Sequence, residues 1–380
     1  MSSSNGSGFD THVPLRMPHS PGVNSPARGK TISTRKRRTG YLTRLINAGP
    51  SGYAESGYYS IPCLWLCPGR RIPLKIYRMD AKGKVKIMHE CNRVYAPDEK
   101  AAQGPSEGRQ WVFIDKRSAS ELLYYLNDNL DEILSSPYLS SSEKAEFFYY
   151  MAFRRIKNAF RMPARISVAD MKQIIAIMIE QIFKDPEALG EVFSLMQQNV
   201  CRAPSHPMVT FGHSLNVGIL ATWFVMKVLG GLKRDTLEEV SLGYFFHNIG
   251  MMRIPGKVLN KEGSLSDGPW SCLRQHPQWG YEIMTKIRGM TPEMAHIVLE
   301  HHERPDGSGY PRSLSGTDIH FFVKVCAIMD TLDALISPRV YRQPMTLLDA
   351  LKFMKERTPR EYDPAIFSKL ILVMLDADLI

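Results

Sequence analysis

The stretch "HHERPDGSGYP", His301 to Pro311, decides how the C-terminal half of this 380-residue chain is read. Two adjacent histidines close the apolar, helix-like run "MAHIVLE". A loop follows in which Gly307 and Gly309 permit the tight backbone turns that Asp306 and Pro311 frame. Polar rings at the end of a buried run must find partners or cost free energy. The question is where those partners lie.

Other histidines answer it. Eight of the eleven fall between His206 and His320. His213 is expected at the start of a helix, "HSLNVGILATWFVM". His247 ends the next one, in "GYFFHNIGMMRIP", Gly243 to Pro255. His276 follows a loop and opens "HPQWGYEIM", and Asp330 lies within the apolar run "KVCAIMDTLDAL". His206 in a Pro-rich loop, His296 on an ordinary helix and His320 after a loop are read as non-ligands. Five histidines near helix ends with one apolar-flanked carboxylate suit Zn, Fe, Mn or Ni. Helical domains gather such ligands from several helices. Spacing alone supports a metal site and a set of satisfied core histidines about equally.

The blocks "HSLNV", "HNIGMMRIP", "KVLNKEGSLS", "HPQWGYEIM", "HHERPDGSGYP", "KVCAIMDTLDALISPRVYR" and "YDPAIF" resemble, in order and spacing, the HD-GYP family over about residues 205–370. The part from "IPCLWLCPGRRIPLKIYRM" to "YYLNDNLDEIL" resembles, less firmly, the small module preceding that domain in many members. The resemblance implies an all-α, metal-dependent phosphodiesterase that hydrolyses the bacterial messenger cyclic di-GMP to pGpG or GMP. The family's metal ligands fall on His213, His247, His276, His301, His302 and Asp330. One or two divalent ions (Fe, Mn, Ni or Zn) are implied. Two neighbouring ions can share a nucleophilic hydroxide and neutralise charge on the phosphoryl oxygens.

This sequence departs from the pattern in the HD pair itself. The family's bridging Asp falls on Asn248, its nearby Lys on Met251, and the Glu of three-metal members on Val209. A carboxamide offers one neutral oxygen and cannot bridge two cations as a carboxylate does. Weakened hydrolysis is therefore expected. A non-enzymatic cyclic di-GMP sensor or docking module is the alternative. By the same resemblance Tyr310, Arg339 and Arg342 are expected to contact nucleotide. Gly309, Tyr310 and Pro311 form a loop that can dock GGDEF-domain partners, and Asp333 is expected to support the helix or a ligand histidine.

The expected class is mainly α, in four parts. Residues 1–57 read as a basic, disordered tail and linker, 58–116 as a small β-rich or α+β module, 117–200 as a helical connector and 201–380 as the all-α domain. Leu122, Leu123, Leu126, Leu130, Ile133 and Leu134 carry the helical spacing. Ser140 followed by Glu143 signals a helix start that runs to about Phe160. Helices are also expected from Val168 to Phe183 and from Pro186 to about Val200. The long connector helices offer a surface on which two chains could pair.

The net charge of +10 is concentrated in the tail, at Arg28, Lys30 and Arg35 to Arg38. No aromatic residues interleave with those charges, so nucleic acid is not expected as a partner. Of six cysteines only Cys63 and Cys67 are close in sequence, a weak metal signal. The run Val217–Val228 is too short to span a bilayer, and "MSSSNGSGFD" has no apolar leader core, so a cytoplasmic location is expected.

Overall fold

Short strands and long helices segregate along the chain. In the computed structural model, residues 57–79, 84–96, 111–199, 206–259, 267–337, 343–357 and 360–380 are described. The basic tail, apart from Gly57, and the expected nucleotide contacts Arg339 and Arg342 lie outside the described residues. The chain separates into two units between Tyr150 and Met151, and each is described by itself.

The N-terminal unit is built on β1 (Tyr58–Pro62), β2 (Arg71–Ile72), β3 (Ile76–Met79), β4 (Val85–His89), β5 (Arg93–Val94) and β6 (Trp111–Asp115). Four strands form an antiparallel sheet in the order β1-β6-β3-β4, and β2 pairs with β5. Tyr58 lies opposite Asp115 and Ile61 opposite Val112. Val112, Phe113 and Ile114 are all buried, as a strand paired on both sides requires. Two helices follow, α1 (Ala119–Asp128) and α2 (Leu130–Leu134). The helical leucine spacing is shared between these two helices. Asn129 separates them, because its side-chain amide donates to the Tyr125 carbonyl and ends the first helix. Helix α3 (Ser141–Arg161) opens on a reciprocal box. Glu143 N donates to Ser140 Oγ, and Ser140 N donates to Glu143 Oε2.

The C-terminal unit, from Met151, is helical. It contains α4 (Val168–Ile177), prolonged by a wider turn over Met178–Ile182, and α5 (Pro186–Asn199). Then come α6 (His206–Val228), α7 (Arg234–Phe246), α8 (Gly256–Leu259), α9 (Asp267–Leu273), α10 (His276–Met284) and α11 (Pro292–Glu300). The last three are α12 (Phe321–Ile336), α13 (Leu347–Arg357) and α14 (Pro364–Asp376). Helix α6 is apolar all round and forms the centre, packed against α7 and α12. Its Leu215, Val217, Ile219, Leu220, Trp223 and Phe224 are fully buried. Each such side chain contributes about 1.5–3 kcal/mol of burial.

Two expectations for α6 change. The helix starts at His206, not at His213, because Pro207 fits the first helical turn, where its missing N–H costs nothing. His213 thus sits two turns inside the helix. Met208–Val228 is also long and apolar enough to cross a membrane, beyond the shorter run seen in the sequence. Yet 89% of its most apolar window is buried inside the unit, as a core helix requires.

Candidate metal centre

Five elements bring the histidines and Asp330 together. His213 comes from within α6, and His247 caps the C-terminus of α7. His276 opens α10. His301 caps α11, with His302 next to it, and Asp330 lies in α12. All six are at most 2% exposed. A short helical turn, Ile249–Arg253, lies against α10. Gly250 makes this contact possible, since a Cβ there would sit 2.0 Å from the His276 carbonyl oxygen. This one glycine lets the His247 and His276 elements meet.

The helix ends also orient the rings. His247 Nδ1 donates to the Tyr244 carbonyl, His276 Nδ1 to that of Leu273, and His301 Nδ1 to that of Val298, each at 2.8 Å. Each acceptor is three residues back in the chain and belongs to the last turn of a helix. Such carbonyls lack an intrahelical partner. With the hydrogen fixed on Nδ1, Nε2 of each ring keeps its lone pair and faces inward.

Those lone pairs converge. His276 Nε2 lies 3.2 Å from His301 Nε2 and 3.2 Å from His302 Nε2. Lone pairs so close repel unless a positive charge lies among them. Burial pushes His276 down to about 4, and burial holds His301 well below its ordinary value; the crowding of the other imidazoles acts in the same direction on both. Both rings are therefore neutral, the form that binds metal.

His213 differs. Its Nε2 donates to Asp330 Oδ1 at 2.8 Å and its Nδ1 to Asp333 Oδ2 at 2.6 Å. Burial alone would lower its pKa, but Asp330 and Asp333 outweigh that and raise it. Asp333 is fixed in turn, as its Oδ1 accepts from Asn216 Nδ2 and from Ser337 Oγ. His247 Nε2 lies 3.6 Å from Asp330 Oδ1.

The ligand atoms thus fall into two buried groups, His276/His301/His302 and His213/His247/Asp330, each able to hold a metal ion. Asn248, 1% exposed, adjoins His247, and its Nδ2 donates to His247 Nε2 at 2.7 Å. Its Oδ1 is buried without a hydrogen-bond partner. An unsatisfied carbonyl oxygen and inward imidazole lone pairs form the donor set that a divalent cation satisfies. The residues fit a metal. Met251 lies instead in an apolar cluster with Ile254, Val258 and Leu273.

The loop after His302 is tied to the same place. Tyr310 stacks on His302, with ring centroids 4.7 Å apart and planes at 21°. A Cβ on Gly309 would lie 2.5 Å from backbone atoms of His302, Glu303 and Arg304, so only glycine fits. The buried Glu303 accepts from the amides of Arg312 and Leu314, and Glu300 accepts from the Arg312 side chain. The sequence reading missed Glu300, Glu303, Asn216 and Ser337. The signal for Glu303 was a carboxylate directly following two buried histidines. Of the histidines set aside, His296 meets Glu300 and His320 caps α12.

Residues 206–366 match the model of a family described as HD domain. The chain is 28% identical over 211 residues to cyclic di-GMP phosphodiesterase PA4108 of Pseudomonas aeruginosa, covering 56% of this chain and 48% of that one. It is 33% identical over 142 residues to the cyclic di-GMP phosphodiesterase response regulator RpfG of Xanthomonas campestris, covering 37% and 38%. The chain thus spans less than half the length of these relatives. Bd1817, a HDG"Y"P protein from Bdellovibrio bacteriovorus, superposes with a TM-score of 0.57 at 16% identity. That match covers 84% of this chain and 99% of that one, and it shows a shared fold.

Proposed function

From a chain that belongs to the HD-GYP family through its HD domain, residues 206–366, we propose a metal-dependent site for cyclic di-GMP in which hydrolysis is slow. The observation that carries this reading is the pair of buried ligand groups with Asn248 beside them. His276, His301 and His302 would hold one ion, and His213, His247 and Asp330 the other. A bound ion would supply positive charge for the phosphoryl oxygens and a nucleophilic water near neutral pH.

The chain's own residues do the rest. The helix-end carbonyls hold the protons of three imidazoles away from the substrate side. Asp333 holds His213 in place. Tyr310 covers His302 and shields that side of the site from water. Asn248 brings no charge, so the ligand set carries the single carboxylate Asp330 toward two dications. The consequence is a weakened second ion and slow turnover.

The test is metal content per chain, followed by cyclic di-GMP turnover with Mn or Fe added, with pGpG and GMP resolved by chromatography. About one ion and slow turnover are expected. Two tightly held ions with brisk turnover would overturn the reading. A second reading, a sensor or a platform for GGDEF-domain partners, is supported by the loop, which Gly309 and Glu303 keep ordered while position 248 lacks its carboxylate. Tight binding of cyclic di-GMP with no product at any metal concentration would select it.

A further inference from the structure

Position 251, where the sequence resemblance implies a lysine, holds a buried methionine, and a cation stands elsewhere near the histidines. Arg274 follows α9, and its guanidinium carbon lies 4.5 Å from the centroid of the Tyr310 ring. The same ring stacks on His302. Arg274 is two residues before His276, so its backbone is fixed by the metal-ligand segment. The packing of Met251 contributes to that placement. Met251 shares its apolar cluster with Leu273 and Trp270, which hold the end of α9 against the turn Ile249–Arg253. The side chain that removes one cation thus helps to set the position of another.

Its electrostatic state differs from that of nearby arginines. Arg253 pairs with Glu282, Arg304 with Glu361 and Arg312 with Glu300. Among the described residues no carboxylate pairs with Arg274. It is half-buried and keeps its N–H donors beside a ring that can hold it but cannot accept its full hydrogen-bonding capacity. A planar fork of donors next to buried metal ligands suits a phosphodiester oxygen.

We propose that Arg274 is a substrate-binding residue that holds a phosphate of the bound cyclic dinucleotide, with the Tyr310 ring fixing its guanidinium. This inference rests on the proposed cyclic di-GMP site. It assigns phosphate recognition to α9 and the GYP loop together, in place of residue 251.

The experiment is calorimetric titration of the metal-loaded full chain with cyclic di-GMP, for the wild type, Arg274→Gln and Arg274→Lys. Arg274→Gln is expected to weaken binding by about tenfold or more, as loss of a charged hydrogen-bond donor does. Arg274→Lys should fall between, since it keeps the charge and loses the fork. The salt dependence of binding should become shallower in Arg274→Gln. Metal content and melting temperature should stay at wild-type values, and any measurable turnover should change in KM more than in kcat. Wild-type binding that Arg274→Gln leaves within about twofold overturns this inference and leaves the proposed site standing. A wild type that binds no cyclic di-GMP overturns both.

Discussion

Asn248 Nδ2 lies 2.7 Å from His247 Nε2, so the side chain at the expected bridging position occupies the lone pair of the histidine beside it. The amide both fails to supply a charge and competes for a ligand atom.

Asn248→Asp should therefore act in opposite directions with and without metal. In the metal-free protein a new buried carboxylate adds to Asp330 and Asp333, which already share His213, so the variant should lose about 1–3 kcal/mol of stability. With metal, the variant should bind a second ion at least about tenfold more tightly, a gain near 1.4 kcal/mol. Thermal melts with and without Mn, together with metal analysis, check both signs. Adding Met251→Lys should raise turnover further. An unchanged metal content would locate the defect elsewhere in the site.

Metal uptake should release protons. His213 Nε2 must lose its hydrogen to serve as a ligand, and Asp330 and Asp333 raise the pKa of that ring. Affinity should thus climb as the pH rises through and above the ordinary histidine range. Titrations in two buffers of different ionisation enthalpy measure the proton count. Asp333→Asn lowers the His213 pKa, so it should reduce the proton release while also loosening the ring.

Glu303→Gln should loosen the loop without touching a ligand atom. The carboxylate accepts from the Arg312 and Leu314 amides at 2.6 and 2.8 Å, and a carboxamide cannot serve both equally well. A loss of about 1–3 kcal/mol is expected in denaturant unfolding. Hydrogen exchange should quicken at those two amides and at Tyr310 before it does so in α6.

Strong acid should loosen the last helix. Asp363 caps α14 through the amides of Ala365 and Ile366 and meets Lys324 Nζ at 3.0 Å. Burial alone would raise its pKa, but Lys324 and the capping amides lower it below the ordinary 3.8. A carboxylate depressed in the folded state stabilises above its unfolded pKa, and the contribution is lost as the pH falls through the lower folded value. Stability measured from neutral to strongly acidic pH should show this loss. Asp363→Asn should be less stable at neutral pH and flatter against acid.

The convergence of the histidines was legible in large part because they recur at helix ends, where "FFHN", "HPQW" and "LEHHE" interrupt apolar runs. Asp330 could be read from a charge inside "CAIMDTL". The loop's supports were not legible, because Glu303 and Glu300 look like ordinary surface acids until the chain folds back on them. The start of α6 was misplaced because Pro207 reads as a breaker in sequence and acts as a starter in space. The break between α1 and α2 was not legible, because a leucine pattern does not show Asn129 donating to the backbone. Arg274 gave no sign at all, since an arginine near a helix end is ordinary and only its position over Tyr310 distinguishes it.

Three of the five imidazoles take their orientation from peptide carbonyls, those of Tyr244, Leu273 and Val298. Main-chain oxygens persist through every side-chain replacement, so this part of the site tolerates mutation by construction. What substitution can reach is the inward-facing side chains themselves, the side chains that hold His213, and residue 248 beside His247. Residue 248 is such a position, and Asn and Asp differ there only by an amide nitrogen in place of an oxygen. On the proposed reading, one substitution on an unaltered main-chain frame separates a weakly held second ion from a firmly held one.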